Sequence, residues 1–327
     1  MKKRFAAIAV LLCLCFVIGC AVPKEETTTE TTTAETTTEK KTETTTEAPE
    51  TTTGQAEIDA EAIRMDASAY PRVDGSTATL PLSYAVYMLA TGSSQEEAEA
   101  NIIHSKTTNA YYNLAYGQTD LLIVYEASPE TLKDIEQTGV KLLIEPVGKD
   151  ALVFMKNEKN PVESLTSEQL RDVYAGKINN WKDVGGEDLP IVAFQRPAGS
   201  GSQTLMESLI MKGTKMADAP ANRIISSMGG ILDEVASYQN TADAIGYSVF
   251  YYAKNMYEIP GLAFLGVDGV MPSTDTIRTD EYGLVNPFYV VIREDTPADA
   301  PARQIFNWLL SEEGQKLVEE SGYVPAH

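Results

Sequence analysis

The sequence is poor in the side chains that carry most metal and redox chemistry. Its 327 residues include 3 cysteines and 2 histidines. Cys13 and Cys15 fall inside an N-terminal apolar run, so Cys20 alone remains beyond it, and neither a zinc motif nor an internal disulfide can form. His104 and the terminal His327 leave little material for a histidine-assisted nucleophile. We therefore expect no metal, no cofactor and no enzymatic activity.

Positive charge is also scarce. The chain has 26 lysines and arginines against 47 aspartates and glutamates, which gives a formal net charge of -21. Such an acidic protein is a poor partner for nucleic acid, and we expect no nucleic-acid binding. If the chain binds an anion, the site must attract it locally, against the overall field.

A hydrophobic run long enough to span a membrane as a helix is missing as well. The apolar run "FAAIAVLLCLCFVIG" at residues 5–19 follows a basic start, "KKR", and this order is typical of a signal peptide. The run leads into "VIGC", which resembles the bacterial lipobox, so residues 1–19 are predicted to be a lipoprotein signal peptide. Cleavage would leave Cys20 as the first mature residue, with lipid on its sulfur. An ordinary signal peptide with an incidental cysteine is the alternative.

Residues 20–57 are predicted to be a disordered tether. They consist largely of repeats such as "ETTTETTT" and contain almost nothing apolar, so burial cannot offset the entropy of ordering. With lipid on Cys20, this segment would hold a folded domain at the outer face of the cell membrane. The expected localisation is therefore extracytoplasmic.

From residue 58 onward, short apolar runs alternate with amphipathic helical patterns, which predicts an α/β fold. This part exceeds the commonest domain size, so we expect two lobes. Strands are predicted at residues 120–125, 151–155, 190–195, 245–252 and 287–292. One helix is predicted to follow Thr166, which matches a capping box with Gln169, and to end at Gly176. A second helical stretch is predicted at residues 301–320.

Three segments run from strand-like residues through a loop of small or hydroxyl-bearing residues into a predicted helix. They are "VDGSTATLPL" at 73–82, "HSKTTNAYY" at 104–112 and "RPAGSGSQTL" at 196–205. Helix N-termini offer amide donors and favour negative charge, and an arginine fork adds two further donors. We interpret the three loops as an anion cradle at the carboxyl ends of strands. Ordinary N-caps are the alternative.

The loop "RPAGSGS" resembles the R-x-x-GSG-[ST] signature of the phosphate-binding proteins that feed Pst-type ABC transporters, the PstS family. Further similarity lies in "NPVESLTSEQLRDVYAGKINNWKDVGG" at 160–186, in "AIGYSVFYY" and in "LLSEEGQKLVEESGYVP". The resemblance implies a type II periplasmic-binding-protein-like fold, with mixed sheets flanked by helices and a ligand cleft between two lobes. Residues 58–152 and 250–327 would form lobe 1, and residues 153–249 would form lobe 2.

The same resemblance implies a set of phosphate-binding residues. Carried over by motif, they are Thr77, Ala78, Thr107, Thr108, Glu126, Arg196, Ser200, Gly201 and Ser202. The second loop departs from the Gly/Ser-rich family pattern, so Thr107 and Thr108 are alternatives. Where the family has Asp or Ser after a strand, this chain has Glu126, with Tyr125 as the alternative by a shift of one residue.

Glu126 also has a physical interpretation. A carboxylate accepts a hydrogen bond from protonated phosphate but repels sulfate, which carries no proton at neutral pH. Glu126 is thus predicted to select phosphate over sulfate. A solvated loop glutamate is the alternative.

Taken together, the resemblance implies a lipid-anchored, monomeric solute-binding protein. It would capture inorganic phosphate by closure of the two lobes and deliver it to the membrane permease of an ABC transporter. The alternatives are a binding protein for another tetrahedral oxyanion, such as sulfate or molybdate, a cell-surface module outside transport, and a phosphatase-like enzyme.

Overall fold

The computed structural model describes residues 58–238, 241–257 and 259–327. The predicted signal peptide, the predicted tether and Cys20 lie outside these ranges. The strands are β1 Val73–Gly75, β2 Leu121–Tyr125, β3 Leu142–Asn157, β4 Ser164–Leu165, β5 Val192–Ala193, β6 Ala244–Val249, β7 Leu262–Val267, β8 Val285–Arg293 and β9 Val324–Pro325. The helices are α1 Leu80–Thr91, α2 Gln95–Asn101, α3 Thr107–Ala115, α4 Pro129–Gln137, α5 Ser167–Tyr174, α6 Gly201–Leu205, α7 Met228–Ser237, α8 Thr274–Arg278, α9 Pro301–Leu309 and α10 Glu312–Glu320.

The long strand β3 joins two groups of strands. The strands hydrogen-bond in the order β1-β2-β8-β3-β6-β5, with β7 and β9 also paired to β3. Residues 142–151 of β3 pair with β8, residues 152–156 pair with β6, and residues 154–157 pair with β7. We call β1, β2, β8, β9 and residues 142–151 the first sheet. We call β5, β6, β7 and residues 152–157 the second sheet.

Both sheets mix parallel and antiparallel pairs, which confirms the α/β class with mixed sheets. In the first sheet β1 is parallel to β2, whereas β8 is antiparallel to both of its neighbours. In the second sheet β5 is parallel to β6, and β6 is antiparallel to β3. Because β1 and β2 are parallel, their carboxyl ends lie at the same edge, and the loops that follow them start there.

Strand β2 is buried on both faces, as expected for its continuous apolar run "LLIVY". Leu121, Ile123 and Tyr125 belong to the large core that includes helices α1, α5 and α9. Leu122 and Val124 face the smaller core formed with helices α3 and α4. Neighbouring residues of this strand therefore point into different cores, as the pleat requires.

The predicted strands are largely confirmed, with two shorter than expected. Residues 120–125 and 287–292 coincide with β2 and β8, residues 151–155 are part of β3, and residues 245–249 of the range 245–252 lie in β6. Of residues 190–195, only Val192 and Ala193 form a strand, β5. Pro190 at the start of the predicted range has no amide hydrogen to donate and forms only an isolated bridge with Asn180, and beyond β5 an isolated bridge from Gln195 to Ile224 continues the pairing.

The helix after Thr166 is confirmed, including its capping box with Gln169. The helical stretch predicted at residues 301–320 is confirmed as helical, but it consists of two helices, α9 and α10. Ser311 separates them and accepts a hydrogen bond from the Gly314 amide as the N-cap of α10. A side chain at Gly314 would come within 2.1 Å of the Trp308 carbonyl oxygen, so glycine is needed for this tight connection.

The lobe boundaries stay a prediction. Strands β4 to β6 fall within residues 153–249, the segment expected to form lobe 2. Strand β7 comes after that segment, yet it pairs with residues 154–157 of β3 in the second sheet.

Candidate anion-binding site

The loop that follows β5 contains the arginine of the predicted cradle. Strand β5 pairs with β6, and Arg196 follows shortly after β5. The loop after Arg196 leads into α6, which begins at Gly201. Ser200 is the N-cap of this helix, and its hydroxyl accepts a hydrogen bond from the Gln203 amide at 3.3 Å. The structure therefore makes Ser200 a capping residue and places Gly201 and Ser202 in the first turn.

Arg196 is a buried cation held by backbone groups. Arg196 is 5% exposed, and burial lowers the pKa of its guanidinium. The Nη1 atom donates to the carbonyl oxygens of Ile225, at 2.7 Å, and of Ser227. None of the ion pairs within the described ranges involves Arg196. The charge therefore has no carboxylate partner in this part of the chain.

Two buried donors of this loop have no partner in the described part of the protein. They are the Nε atom of Arg196 and the Oγ atom of Ser202, which is 0% exposed. Buried donors are nearly always hydrogen-bonded, and an unpaired one costs about 1–3 kcal/mol. A tetrahedral oxyanion supplies acceptors of the kind that would satisfy both atoms.

The loops of the first sheet meet one another through hydroxyl groups. Ser76 Oγ and Thr107 Oγ1 share a hydrogen bond of 2.8 Å, and Ser76 Oγ also accepts from the Tyr125 amide at 3.0 Å. Ser76 follows β1, Thr107 begins α3 and Tyr125 ends β2, so the first two predicted loops and the end of strand β2 all contribute. Ser76 was not among the predicted residues, although it occupies the N-cap position of the turn Thr77–Thr79.

Asp74 holds this arrangement in place. Its carboxylate accepts from the Ser105 amide at 2.6 Å, from the Ser105 hydroxyl at 2.6 Å and from Asn113 Nδ2 at 2.8 Å. The loop before α3 is thereby fastened to the end of β1. Residue 106 in that loop is a lysine with a φ of 76°, a conformation that non-glycine residues adopt only under such constraint.

His104, considered from the sequence as a partner for a nucleophile, is hydrogen-bonded to the loop that follows β1. His104 Nδ1 donates to the Ser76 carbonyl oxygen at 2.7 Å, and burial lowers the pKa of the imidazole. The ring therefore holds a backbone group rather than a hydroxyl nucleophile.

The loops of the two sheets touch each other. Thr108 Oγ1 donates to the Gly199 carbonyl at 3.0 Å. A side chain at Gly201 would approach Thr107 Oγ1 to 2.8 Å, so only glycine permits this proximity. Thr107 thus lies beside the buried first turn of α6. The hydroxyl of Thr108 is instead bonded to the Gly199 carbonyl in the loop before α6.

Thr77 and Ala78 lie in the turn that follows Ser76. Thr77 is half-buried, and Ala78 is buried with its carbonyl oxygen bonded to the Tyr323 hydroxyl at 2.7 Å. Both residues therefore belong to the loop that the structure brings to the contact, although no hydroxyl bond of Thr77 links it to Thr107.

Glu126 is not brought to the place where the loops meet beside Gly201, whereas its alternative, Tyr125, is. Tyr125 is buried in the large core, and its ring lies next to Gly201. Glu126 is exposed, and its charge acts on Tyr111 and Tyr289, which pack in or against the smaller core on the other face. The alternation of side chains along a strand explains this separation of adjacent residues.

The described residues contain neither a candidate metal cluster nor a candidate membrane-spanning helix. Within them, no three acidic, histidine or cysteine side chains are grouped so as to hold a metal ion. No helix in the same ranges has the length and apolarity to cross a bilayer. The cluster presents donors and one buried cation, which suits binding of an anion.

Comparison with known proteins gives concordant matches. A family model described as a PBP superfamily domain matches residues 26–313. The chain is 30% identical to the phosphate-binding protein PstS of Borreliella burgdorferi over 220 residues, which are 66% of this chain and 73% of that protein. It is 29% identical to PstS of Bacillus subtilis over 181 residues, or 54% of this chain and 56% of that one.

Solved structures agree. A putative phosphate ABC transporter substrate-binding protein from Clostridium perfringens, solved with bound phosphate, matches with a TM-score of 0.60 and 25% identity. That match covers 78% of this chain and 98% of the other. An ABC-type phosphate transport receptor from Vibrio cholerae matches with a TM-score of 0.58 and 25% identity, over 77% of this chain and 98% of the other.

Proposed function

The chain belongs to the PBP superfamily and, within it, to the PstS family of two-lobed phosphate-binding proteins, and on this premise we propose that it binds inorganic phosphate. The family is one of binding proteins and not of enzymes. The anion would bind between the loops of the first and second sheets and be released to the permease of an ABC transporter.

One observation carries the proposal more than any other. Arg196 Nε and Ser202 Oγ are buried donors that find no partner among the residues the structure describes, and they lie on the loop that meets Thr107. A buried cation without a carboxylate partner is costly unless an anion compensates it. Phosphate would accept from Arg196, from Ser202 and from the amides of the α6 first turn. Thr107, with Thr77 and the Ala78 amide, would complete its shell from the other side.

Calorimetric titration of the full-length chain with phosphate, sulfate and molybdate tests this proposal. We expect phosphate to bind with the highest affinity. Tighter binding of sulfate or molybdate would assign the site to another oxyanion. Absence of binding for all three anions would reject the function.

The cellular setting is proposed from the sequence. We infer that Cys20 is lipidated after removal of residues 1–19 and that residues 20–57 tether the domain outside the cell membrane. Cys20→Ser should then abolish lipidation and shift the protein from the membrane fraction to the soluble fraction. Mass spectrometry of the mature protein provides the check, and an unlipidated wild type would refute the anchor.

A further inference from the structure

A buried carboxylate lies where the two sheets share strand β3. Asp150 is 2% exposed and stands opposite Asn286 of β8 in the first sheet. Two residues further on, Leu152 stands opposite Val249 of β6 in the second sheet. The chain therefore passes from one sheet to the other within these few residues, which we call the junction.

Donors from separate parts of the chain converge on Asp150. The Tyr125 hydroxyl donates to Oδ2 at 2.5 Å, and Oδ1 accepts from the amides of Ala151, at 2.7 Å, and Tyr251, at 3.0 Å. Tyr125 ends β2, whereas Tyr251 follows β6. Burial raises the pKa of the Asp150 carboxyl to about 6, and these donors act in the opposite direction.

Tyr125 connects this carboxylate to the candidate site directly. Its amide donates to Ser76 Oγ, the hydroxyl that is also bonded to Thr107. Its ring lies next to Gly201 in the first turn of α6. One residue thus contacts the loop of the first sheet, the loop of the second sheet and Asp150.

A second connection reaches the other end of the same loop. The ring of Tyr251, whose amide donates to Asp150, stacks on Tyr323 with centroids 3.6 Å apart and an interplanar angle of 8°. The Tyr323 hydroxyl donates to the Ala78 carbonyl at 2.7 Å. The loop Ser76 to Ala78 is therefore linked to Asp150 at both of its ends.

We propose that Asp150 is a positioning residue for the anion cleft, which fixes the loop Ser76 to Ala78 relative to the junction and thereby stabilises the closed contact with Gly201. Asp150 itself does not contact the anion. The inference rests on the proposed function, because the cleft it positions is the one assigned to phosphate. Loss of the link should loosen the first-sheet loop and allow faster release of the ligand.

The test compares Tyr125→Phe, Asp150→Asn and the double variant in the full-length chain. Tyr125→Phe removes only the hydroxyl, whose bond to a carboxylate contributes a factor of roughly ten or more to stability, and we expect only part of this factor to appear in the release rate. We expect phosphate release, followed by stopped flow, to become about three- to tenfold faster in each single variant. Because both changes break one link, the double variant should be no faster than the faster single variant.

Tyr282→Phe is the matched control. The Tyr282 hydroxyl is buried and donates to the Leu152 carbonyl at 3.0 Å, close to the junction but without a link to the loop. This variant should lose stability as Tyr125→Phe does, while its rate of phosphate release stays within about twofold of wild type. A rate that rises equally in Tyr282→Phe would reduce Asp150 to a general stabilising residue and overturn the proposal.

Hydrogen exchange without phosphate separates this inference from the proposed function. Amides of residues 76–79 should exchange faster in Tyr125→Phe and Asp150→Asn, but not in Tyr282→Phe. If wild type binds no phosphate yet the loop responds in this way, the function fails and the positioning role stands. If the protein binds phosphate and the loop does not respond, the positioning role fails. Should Asp150→Asn not fold, Tyr125→Phe decides alone.

Discussion

The two sides of the candidate site are built on different principles. The loop of the second sheet contains a buried cation, Arg196. Two buried donors of this loop, Arg196 Nε and Ser202 Oγ, have no partner in the described part of the chain. The loops of the first sheet contain hydroxyls that are already bonded to one another and fastened by the carboxylate of Asp74. The second side is therefore expected to supply most of the attraction for an anion, and the first side to supply the geometry of closure.

The contacts between the sides support this division. Thr108 donates to the Gly199 carbonyl, and Thr107 lies against Gly201. Both contacts join neutral groups, so they contribute only modestly to the free energy of closure. A charged ligand held by Arg196 would add the larger share. If the comparison is right, substitutions on the second side should weaken affinity more than those on the first.

The largest effect is expected for Arg196→Ala. The change removes the buried cation of the site, and charge-assisted bonds contribute about 1.5–3 kcal/mol each, so phosphate affinity should fall by at least tenfold. Arg196→Lys should restore part of it, because lysine has the charge but not the planar fork. Calorimetric titration measures both variants.

Arg278→Ala serves as the control for loss of charge. Arg278 forms an exposed ion pair with Glu319 at 3.0 Å. An exposed pair contributes little, so this variant should bind phosphate like wild type. Equal affinities for Arg196→Ala and wild type would remove the basis for placing the anion at this loop.

A smaller effect is expected for Ser202→Ala, with Ser200→Ala as its counterpart. Ser202 offers an unpaired hydroxyl, so its loss should weaken phosphate binding about three- to tenfold with little change in stability. Ser200 caps α6, and its loss should lower the free energy of unfolding by about 1 kcal/mol while changing affinity less. Titration and urea unfolding of both variants give the two readouts, and the reverse pattern would exchange the roles of the two serines.

The three loops could be predicted from the sequence because each one precedes a helix, although the second loop follows helix α2 and not the strand that its apolar residues suggested. Arg196 and the Gly-Ser turn could be found from the local motif alone. Ser76 could not be chosen over Thr77, since its role depends on a hydroxyl partner, Thr107, which is distant along the chain. Asp150 gave no signal either, because its donors, Tyr125 and Tyr251, come from two other strands' ends.

The same limit explains the split of residues 301–320 and the short strand β5. Both patterns are apolar and periodic enough for a longer element, but local groups end them. Ser311 begins a new helix by capping it, and Pro190, which has no amide hydrogen, forms only an isolated bridge with Asn180 ahead of β5. Periodicity predicts that an element exists more reliably than it predicts where the element stops.

The pair Thr107→Val and Thr108→Val tests the first side. Thr107 lies beside Ser76 and Gly201, so its variant should weaken phosphate affinity by about two- to fivefold. Thr108 is bonded to the Gly199 carbonyl, so its variant should act on closure and accelerate release by no more than about threefold. Stopped-flow association and release rates separate the two effects. A larger loss of affinity in Thr108→Val than in Thr107→Val would mean that Thr108, and not Thr107, contacts the phosphate.

The smallest effect is expected for Glu126→Gln. From the sequence, Glu126 is predicted to accept the phosphate proton, and removal of its charge would then favour sulfate strongly.

In the structure, Tyr125 points to Gly201 and the adjacent Glu126 is exposed beside Tyr111 and Tyr289. A screened charge at that position interacts weakly with an anion in the cleft, so the phosphate-to-sulfate affinity ratio should change by less than about twofold. Competition titrations of wild type and variant measure this ratio. A shift of about tenfold or more toward sulfate would correspond to at least 1.4 kcal/mol, which is more than a solvent-exposed carboxylate outside the cleft supplies. Such a result would mean that Glu126 turns into the cleft when the anion binds, and the first side would then select the ligand as well as close over it.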